Sequence, residues 1–247
     1  MNQTIITNIT QGLTTAFIDH TVSSNLAYRP QFISNNYKEG RKVISSIEDE
    51  LLSCEQFAIS VAFITMSGIT PLLQTLKELE KRGIPGRILT TDYLTFSDPK
   101  ALRKLEEFSN LHVKMYVTDQ KEEGFHTKGY IFKKEEMYRI IVGSSNMTLS
   151  ALTVNREWNT RIVSTEQGEY AQSVLTEFED LWNSPQAVEF EQFIDSYTEN
   201  YTRNKIIRKQ KELARQEQIP SLEAYRLQPN SMQTGFINNL QKIYDAG

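Results

Sequence analysis

Phe125-His126-Thr127-Lys128-Gly129-Tyr130-Ile131-Phe132 reads as a β-strand, and the rest of the chain is organised around it. A turn follows at Lys133 to Met137. Tyr138-Arg139-Ile140-Ile141-Val142 then runs into Gly143-Ser144-Ser145-Asn146. Strand residues two apart face the same way, so His126 and Lys128 are expected on one face. If the two runs pair as a hairpin, Ser144 and Asn146 approach that face from the neighbouring strand's end. An imidazole, an ammonium, a hydroxyl and an amide would then converge, a set suited to a phosphate.

Upstream, Val43, Ile44, Ile47, Leu51 and Leu52 recur at helical spacing across residues 39–53. Phe57 to Phe63 is a near-continuous apolar run, the pattern of a strand covered on both faces. Ser67-Gly68 opens a second helix with Ile69, Leu72, Leu73, Leu76 and Leu79 on one stripe, ended by Arg82 to Gly86. Arg87 to Thr91 reads as a strand, Asp98-Pro99 starts a helix, and His112 to Val117 reads as another strand. This rhythm predicts an α/β domain with a mixed, largely parallel sheet flanked by helices. Downstream come a short helix-like piece (Leu149 to Val154), a last core strand at Thr160 to Val163 and an amphipathic helix over 166–183. Tyr170, Val174, Leu175, Phe178, Leu181 and Trp182 mark the buried side of that helix.

Outside this core, residues 1–37 read as a weakly patterned N-terminal arm, broken at Arg29-Pro30. Residues 38–185 form the main domain. Residues 186–221 read as a polar helical linker, with Arg203, Lys205, Arg208, Lys209, Lys211 and Arg215 clustered. That cluster is either a solvated face or a phosphate-contacting arm. Residues 222–247 begin a new pattern.

Composition narrows the field. The chain has 247 residues, 39% hydrophobic and 23% charged, as in ordinary globular proteins. The net charge of −4 excludes a uniformly basic nucleic-acid binder but not a local basic site. No apolar run reaches the roughly 18 residues a membrane helix needs. The polar N-terminus lacks a signal peptide's order, and the single Cys54 cannot form an internal disulfide. The expectation is a cytoplasmic protein without membrane contact, cofactor or metal.

His126-x-Lys128, a spacer, Gly143-Ser144-x-Asn146 and the downstream Glu157 resemble the motif of the phospholipase D superfamily. The likeness extends over roughly residues 35–185 and is similar to the branch fused to helicases and restriction-type nucleases. It implies a phospholipase D-like αβα fold and a metal-independent endonuclease. In such a site His126 attacks phosphorus, and Lys128 and Asn146 hold the non-bridging oxygens. Ser144 assists them or orients His126, and Glu157 accepts the proton of the other imidazole nitrogen. Ser145, Arg156 and Arg161 are candidate substrate contacts, and Tyr93 and Thr91 candidates for the groove wall. The superfamily often carries an Asp where Lys133 stands here; Glu135 and Glu136 lie on the turn instead.

The departing oxygen needs a second imidazole as its acid. The chain has three histidines. His20 has no chemistry-bearing neighbours. His112-Val113-Lys114 mimics the motif without its own Gly-Ser-x-Asn. The second His126 is therefore expected from another copy, in a homodimer with one shared site. Leu227 to Leu240 resembles the opening segment of superfamily 2 helicases, in which Gln233 would read adenine. No Gly-x-x-x-x-Gly-Lys-Ser/Thr loop occurs, so a helicase is expected to follow in a longer chain. The expected partner is DNA, in restriction or defence. The competing readings are a non-catalytic DNA-binding or dimerisation module and a phospholipase or phosphatidyltransferase.

Overall fold

The structure, a computed structural model, describes residues 2–118, 124–218, 238 and 241. In chain order the elements are α1 (Gln3–Phe17), β1 (Gln31–Ile33), α2 (Val43–Ser53), β2 (Gln56–Val61), α3 (Met66–Ile69), α4 (Leu73–Lys81) and β3 (Gly86–Thr91). They continue with α5 (Pro99–Glu106), β4 (Leu111–Tyr116), β5 (Lys128–Lys134), β6 (Met137–Gly143) and α6 (Leu149–Thr153). The last are β7 (Asn159–Thr165), α7 (Glu169–Trp182), β8 (Ala187–Glu189) and α8 (Phe190–Gln218). Packing divides the chain into one unit through Thr202 and a second from Arg203.

The strands form one eight-stranded sheet in the order β1-β7-β6-β5-β2-β3-β4-β8. Mixed α/β architecture with flanking helices is as expected, but the sheet is mostly antiparallel. Only β2/β3 and β3/β4 pair in parallel; β1/β7, β7/β6, β6/β5, β5/β2 and β4/β8 are antiparallel. The cause is connection length. A parallel neighbour needs a crossover, usually helical. Helices α3–α4 and α5 provide two, whereas β5, β6 and β7 follow one another through a tight hairpin and a one-turn helix. The hairpin turns at Glu135, a non-glycine residue at φ 54°.

One face of the sheet is covered by helices α2, α4 and α5 through Ile47, Leu51, Leu76, Leu79, Leu102 and Leu105. The start of α8 joins this core with Phe190, Phe193, Ile194 and Tyr197, all buried. This part of the expected polar linker is therefore core. On the other face, α7 packs Ala171, Phe178 and Trp182 against Ala58, Leu89 and Ile131. Tyr170, expected inside, is exposed. Two strands lie outside the anticipated set, β1 and β8 at opposite sheet edges. Helix α1 also forms within the weakly patterned arm. Asn2 caps it by accepting from the Thr4 N–H at 3.0 Å, and Ile5 and Ile9 pack on Met137 and Val163.

A buried carboxylate ties the arm to the sheet. Glu50 on α2 accepts from Arg161 on β7 at 3.0 Å and lies 3.6 Å from Arg139 on β6. The same Arg161 donates to the carbonyls of Leu26 and Arg29 at 3.3 Å. Burial outweighs the two arginines and pushes the Glu50 carboxyl up from its ordinary value. Cys54 is also buried, its thiol pushed up to about 11 by burial, which fits a packing role. No helix among the described residues is long and apolar enough to cross a membrane.

Candidate active site

The hairpin register builds the site. Gly129 pairs with Val142 and Gly143 with Asn159, so Lys128, Gly143 and the start of β7 meet at one end of the sheet. The parallel strands β2, β3 and β4 end there too, the usual place for ligands in such sheets. Gly143 is required by this crossing: a Cβ there would overlap the Trp158 carbonyl and the Asn159 side chain.

His126 lies two residues before β5, not within it. Its segment is pinned instead by Thr127, whose hydroxyl meets Ser60 Oγ at 2.6 Å and whose carbonyl accepts from Ala62 N at 3.2 Å. The imidazole stands edge-to-face against Phe63, at 5.9 Å, and Tyr93, at 5.6 Å. Lys128 Nζ lies 3.0 Å from His126 Nδ1 and 2.7 Å from the His126 carbonyl oxygen. An ammonium only donates, so Nδ1 accepts. Partial burial, then the Lys128 charge, holds the imidazole below its ordinary pKa. Burial also lowers the Lys128 ammonium, against a smaller opposing effect of the Glu157 carboxylate.

The Gly143-Ser144-Ser145-Asn146 run is fixed from three sides. Asn146 Oδ1 accepts from the Phe63 N–H at 3.1 Å, which leaves its amide NH₂ to donate elsewhere. Phe63 O accepts from Met147 N, and Met147 O from Thr65 N, both at 3.0 Å. Ser144 exchanges backbone and side-chain bonds with Trp158 at 3.0 Å and donates its hydroxyl to Glu157 Oε2. Glu157 thus holds Ser144 and faces Lys128; it makes no hydrogen bond to His126.

The remaining candidates separate. Ser145 is fully buried, bonding Asn159 Nδ2 at 2.9 Å through its hydroxyl and the Tyr130 hydroxyl at 3.0 Å through its carbonyl. Arg161 is committed to Glu50. Both are tied into the fold by these bonds. Thr91 is buried and accepts from the Tyr93 N–H, so it does not line a groove. Arg156 is exposed, with no ion pair among the described residues. His112 pairs with Glu189 at 2.7 Å, as does Lys114 at 2.9 Å, so this imitation of the motif anchors the β8 edge. Gln233 lies outside the described residues. Lys133, where an Asp was sought, sits at the far end of β5 in an ion pair with Glu166 at 2.7 Å. Five residues of strand, about 17 Å, separate it from Lys128, so no acid at that position supports this site.

Phe63 and Tyr93, which orient His126, were not singled out for that role; their signal is only that each ends or follows an apolar strand. His126 also lines a cavity of about 380 Å³, together with Tyr116, Phe125, Thr127, Glu177 and Leu181. Among the described residues no three His, Cys, Asp or Glu side chains converge as metal ligands.

Residues 49–182, more than half of the chain, match the family model described as "Cardiolipin synthase, PLD-like domain". The chain belongs to the phospholipase D superfamily. Among solved structures, this PLD-like chain is similar to Nuc, a phospholipase D family member from Salmonella typhimurium, at 18% identity and TM-score 0.50. The match covers 66% of this chain and 99% of Nuc. NucT from Helicobacter pylori matches at 15% identity and TM-score 0.51, over 66% of this chain and 99% of that one. Phosphatidylserine synthase from Haemophilus influenzae Rd KW20 matches at 15% and 0.50, over 75% of this chain and 46% of that one. At these identities the likeness is one of fold. No curated protein matches the sequence.

Proposed function

We propose that this PLD-like domain is a metal-independent phosphodiesterase that cleaves DNA through a phosphohistidine at a site shared by two copies. The observation that carries this reading is the pairing of a depressed imidazole, His126, with Lys128 and Asn146 as fixed donors at one sheet end. A bound phosphodiester draws the Lys128 ammonium from Nδ1 onto a non-bridging oxygen, and the Asn146 amide donates to the same group. The released neutral imidazole attacks phosphorus. A P–N bond forms as the bond to the leaving oxygen breaks, and that oxygen takes its proton from the partner copy's ring, which enters the step as imidazolium. Water, deprotonated by that second ring, then breaks the P–N bond and returns His126. Glu157, through Ser144 and its charge facing Lys128, sets where the ammonium rests between turnovers. In a longer chain the domain would supply the nuclease of a restriction or defence system with a helicase partner.

The test is incubation of plasmid and single-stranded DNA with the chain in EDTA, beside His126→Ala. Cleavage that persists in EDTA and is lost in the variant, by a factor on the order of 10⁴ or more, is the expected result. Cleavage that needs added magnesium, or survives in His126→Ala, overturns it; binding without cutting would make the domain a non-catalytic module. The likeness to a phosphatidylserine synthase supports a second reading, phosphatidyl transfer, which release of the headgroup from phospholipid vesicles in the same buffer would detect.

A further inference from the structure

The cavity of about 380 Å³ that His126 lines sits between the end of β4, the segment that enters β5 and helix α7. Tyr116, Phe125 and Leu181 give it an apolar wall. The Tyr116 and Phe125 rings lie 5.2 Å apart at 30°, and Phe125 is buried in the core that α7 shares, so the wall is braced from behind. Glu177 and Leu181 stand one turn apart on one face of α7. Thr127 has its hydroxyl engaged by Ser60 at 2.6 Å. Apart from His126, the Glu177 carboxylate is therefore the polar side chain left to meet a ligand. It is exposed and makes no hydrogen bond or ion pair among the described residues.

We propose that this cavity takes the base next to the scissile phosphate, and that Glu177 selects guanine there. The inference rests on the phosphodiesterase reading above and narrows its substrate. His126 lines the cavity, so a group held in it lies beside the phosphorus that the ring attacks. The volume falls at the small end of the range for small-molecule sites, with room for about one nucleoside. A carboxylate repels a phosphate backbone, so the cavity receives an uncharged part of the substrate that carries N–H groups. The carboxylate accepts through two oxygens and donates nothing. Guanine alone among the DNA bases offers donors on two neighbouring nitrogens, N1–H and N2–H, along its Watson–Crick edge. Adenine and cytosine present one amino group beside a ring-nitrogen acceptor. Thymine presents one N–H between two carbonyls, whose lone pairs oppose the carboxylate. Tyr116 supplies a ring for the base to rest on. The edge that Glu177 reads is occupied in a duplex, so the substrate is a single strand or a base turned out of its pair.

The test is cleavage in EDTA of end-labelled thymidine oligonucleotides that carry a single guanine, adenine or cytosine at the centre. The intact chain and Glu177→Gln are compared, and the cut sites are mapped. The side chain is exposed, and circular dichroism checks that the variant is folded. The wild type is expected to cut beside guanine with a kcat/KM about tenfold or more above that at thymine, the worth of one bidentate base contact. Inosine, which lacks the 2-amino group, should lose most of that preference; 7-deazaguanine, which keeps the same edge, should retain it. In Glu177→Gln the guanine-to-thymine ratio should fall towards one. Equal rates at all four bases, or a preference that survives Glu177→Gln, overturns the proposal. If no oligonucleotide is cut, the DNA phosphodiesterase reading fails by itself, and titration with dGMP and dTMP decides the cavity. Tighter dGMP binding that is lost in Glu177→Gln upholds the guanine site; equal binding of the two overturns it. Headgroup release from phosphatidylcholine vesicles that Glu177→Gln slows assigns the carboxylate to a cationic headgroup and overturns guanine.

Discussion

At the scale of single residues, His126 and Lys128 are coupled by the 3.0 Å contact between Nζ and Nδ1. Partial burial and, second to it, the ammonium both oppose a positive charge on the ring, so the imidazole stays neutral further into acid than its ordinary value of 6.5. In the proposed mechanism the neutral ring is the nucleophile. The acid limb of kcat/KM is therefore expected below pH 6.5, with activity lost as pH falls through it, and loss of the partner ring's proton should set a second limb on the basic side. Lys128→Met removes the charge that depresses the ring, so the His126 titration followed by NMR should move up towards 6.5. The same variant should lose kcat by about 10²–10³-fold, the usual cost of removing one transition-state donor. Ser144→Ala separates the roles of its neighbour. Glu157 loses its hydroxyl partner while keeping its charge near Lys128, so the His126 titration should stay in place while kcat falls. A titration that moves with Ser144→Ala would place Glu157's influence on the imidazole itself.

At the scale of elements, the β5–β6 hairpin sets the site through its register, and two backbone positions carry it. Gly143 cannot take a side chain without displacing the Trp158 carbonyl. Gly143→Ala should cost roughly 1–3 kcal/mol in urea denaturation, as forced overpacking does, and reduce cleavage by shifting Ser144. Glu135 at the turn has φ 54°, a conformation that suits glycine. Glu135→Gly should leave cleavage unchanged and stabilise the fold by up to about 1 kcal/mol. A fall in stability there would mean that the carboxylate, not the backbone, holds the turn. Far from the site, Glu50→Ala leaves Arg139 and Arg161 without their buried anion and should cost about 3–5 kcal/mol.

At the scale of the whole molecule, the proposed mechanism takes its second imidazole from another copy, which would make activity a property of the assembly. Subunit mixing tests this without altering the interface. If each site needs both His126 rings, an equal, freely exchanged mixture of wild type and His126→Ala keeps about a quarter of the starting activity per total protein, because only dimers with two wild-type protomers cut. If each protomer acts alone, about half remains. The motif residues themselves were legible without coordinates, since Gly143-Ser144-x-Asn146 must follow a strand beside the one that carries Lys128. The partners of Ser145 and Arg161 were not, because a serine or arginine next to a motif carries no sign of which way it faces; the structure sets them against Tyr130 and Glu50.

What the sequence by itself determined is what depends on near neighbours. The order of strands and helices follows from apolar spacing, the hairpin from a turn between two β-branched and aromatic runs, and the candidate reactive set from residue types a fixed distance along those strands. Pairing direction, the edge strands β1 and β8 and the inward turn of α8 depend on contacts between residues tens of positions apart. Only tertiary structure decided these, because a local pattern states how much surface must be buried but not which distant surface will bury it.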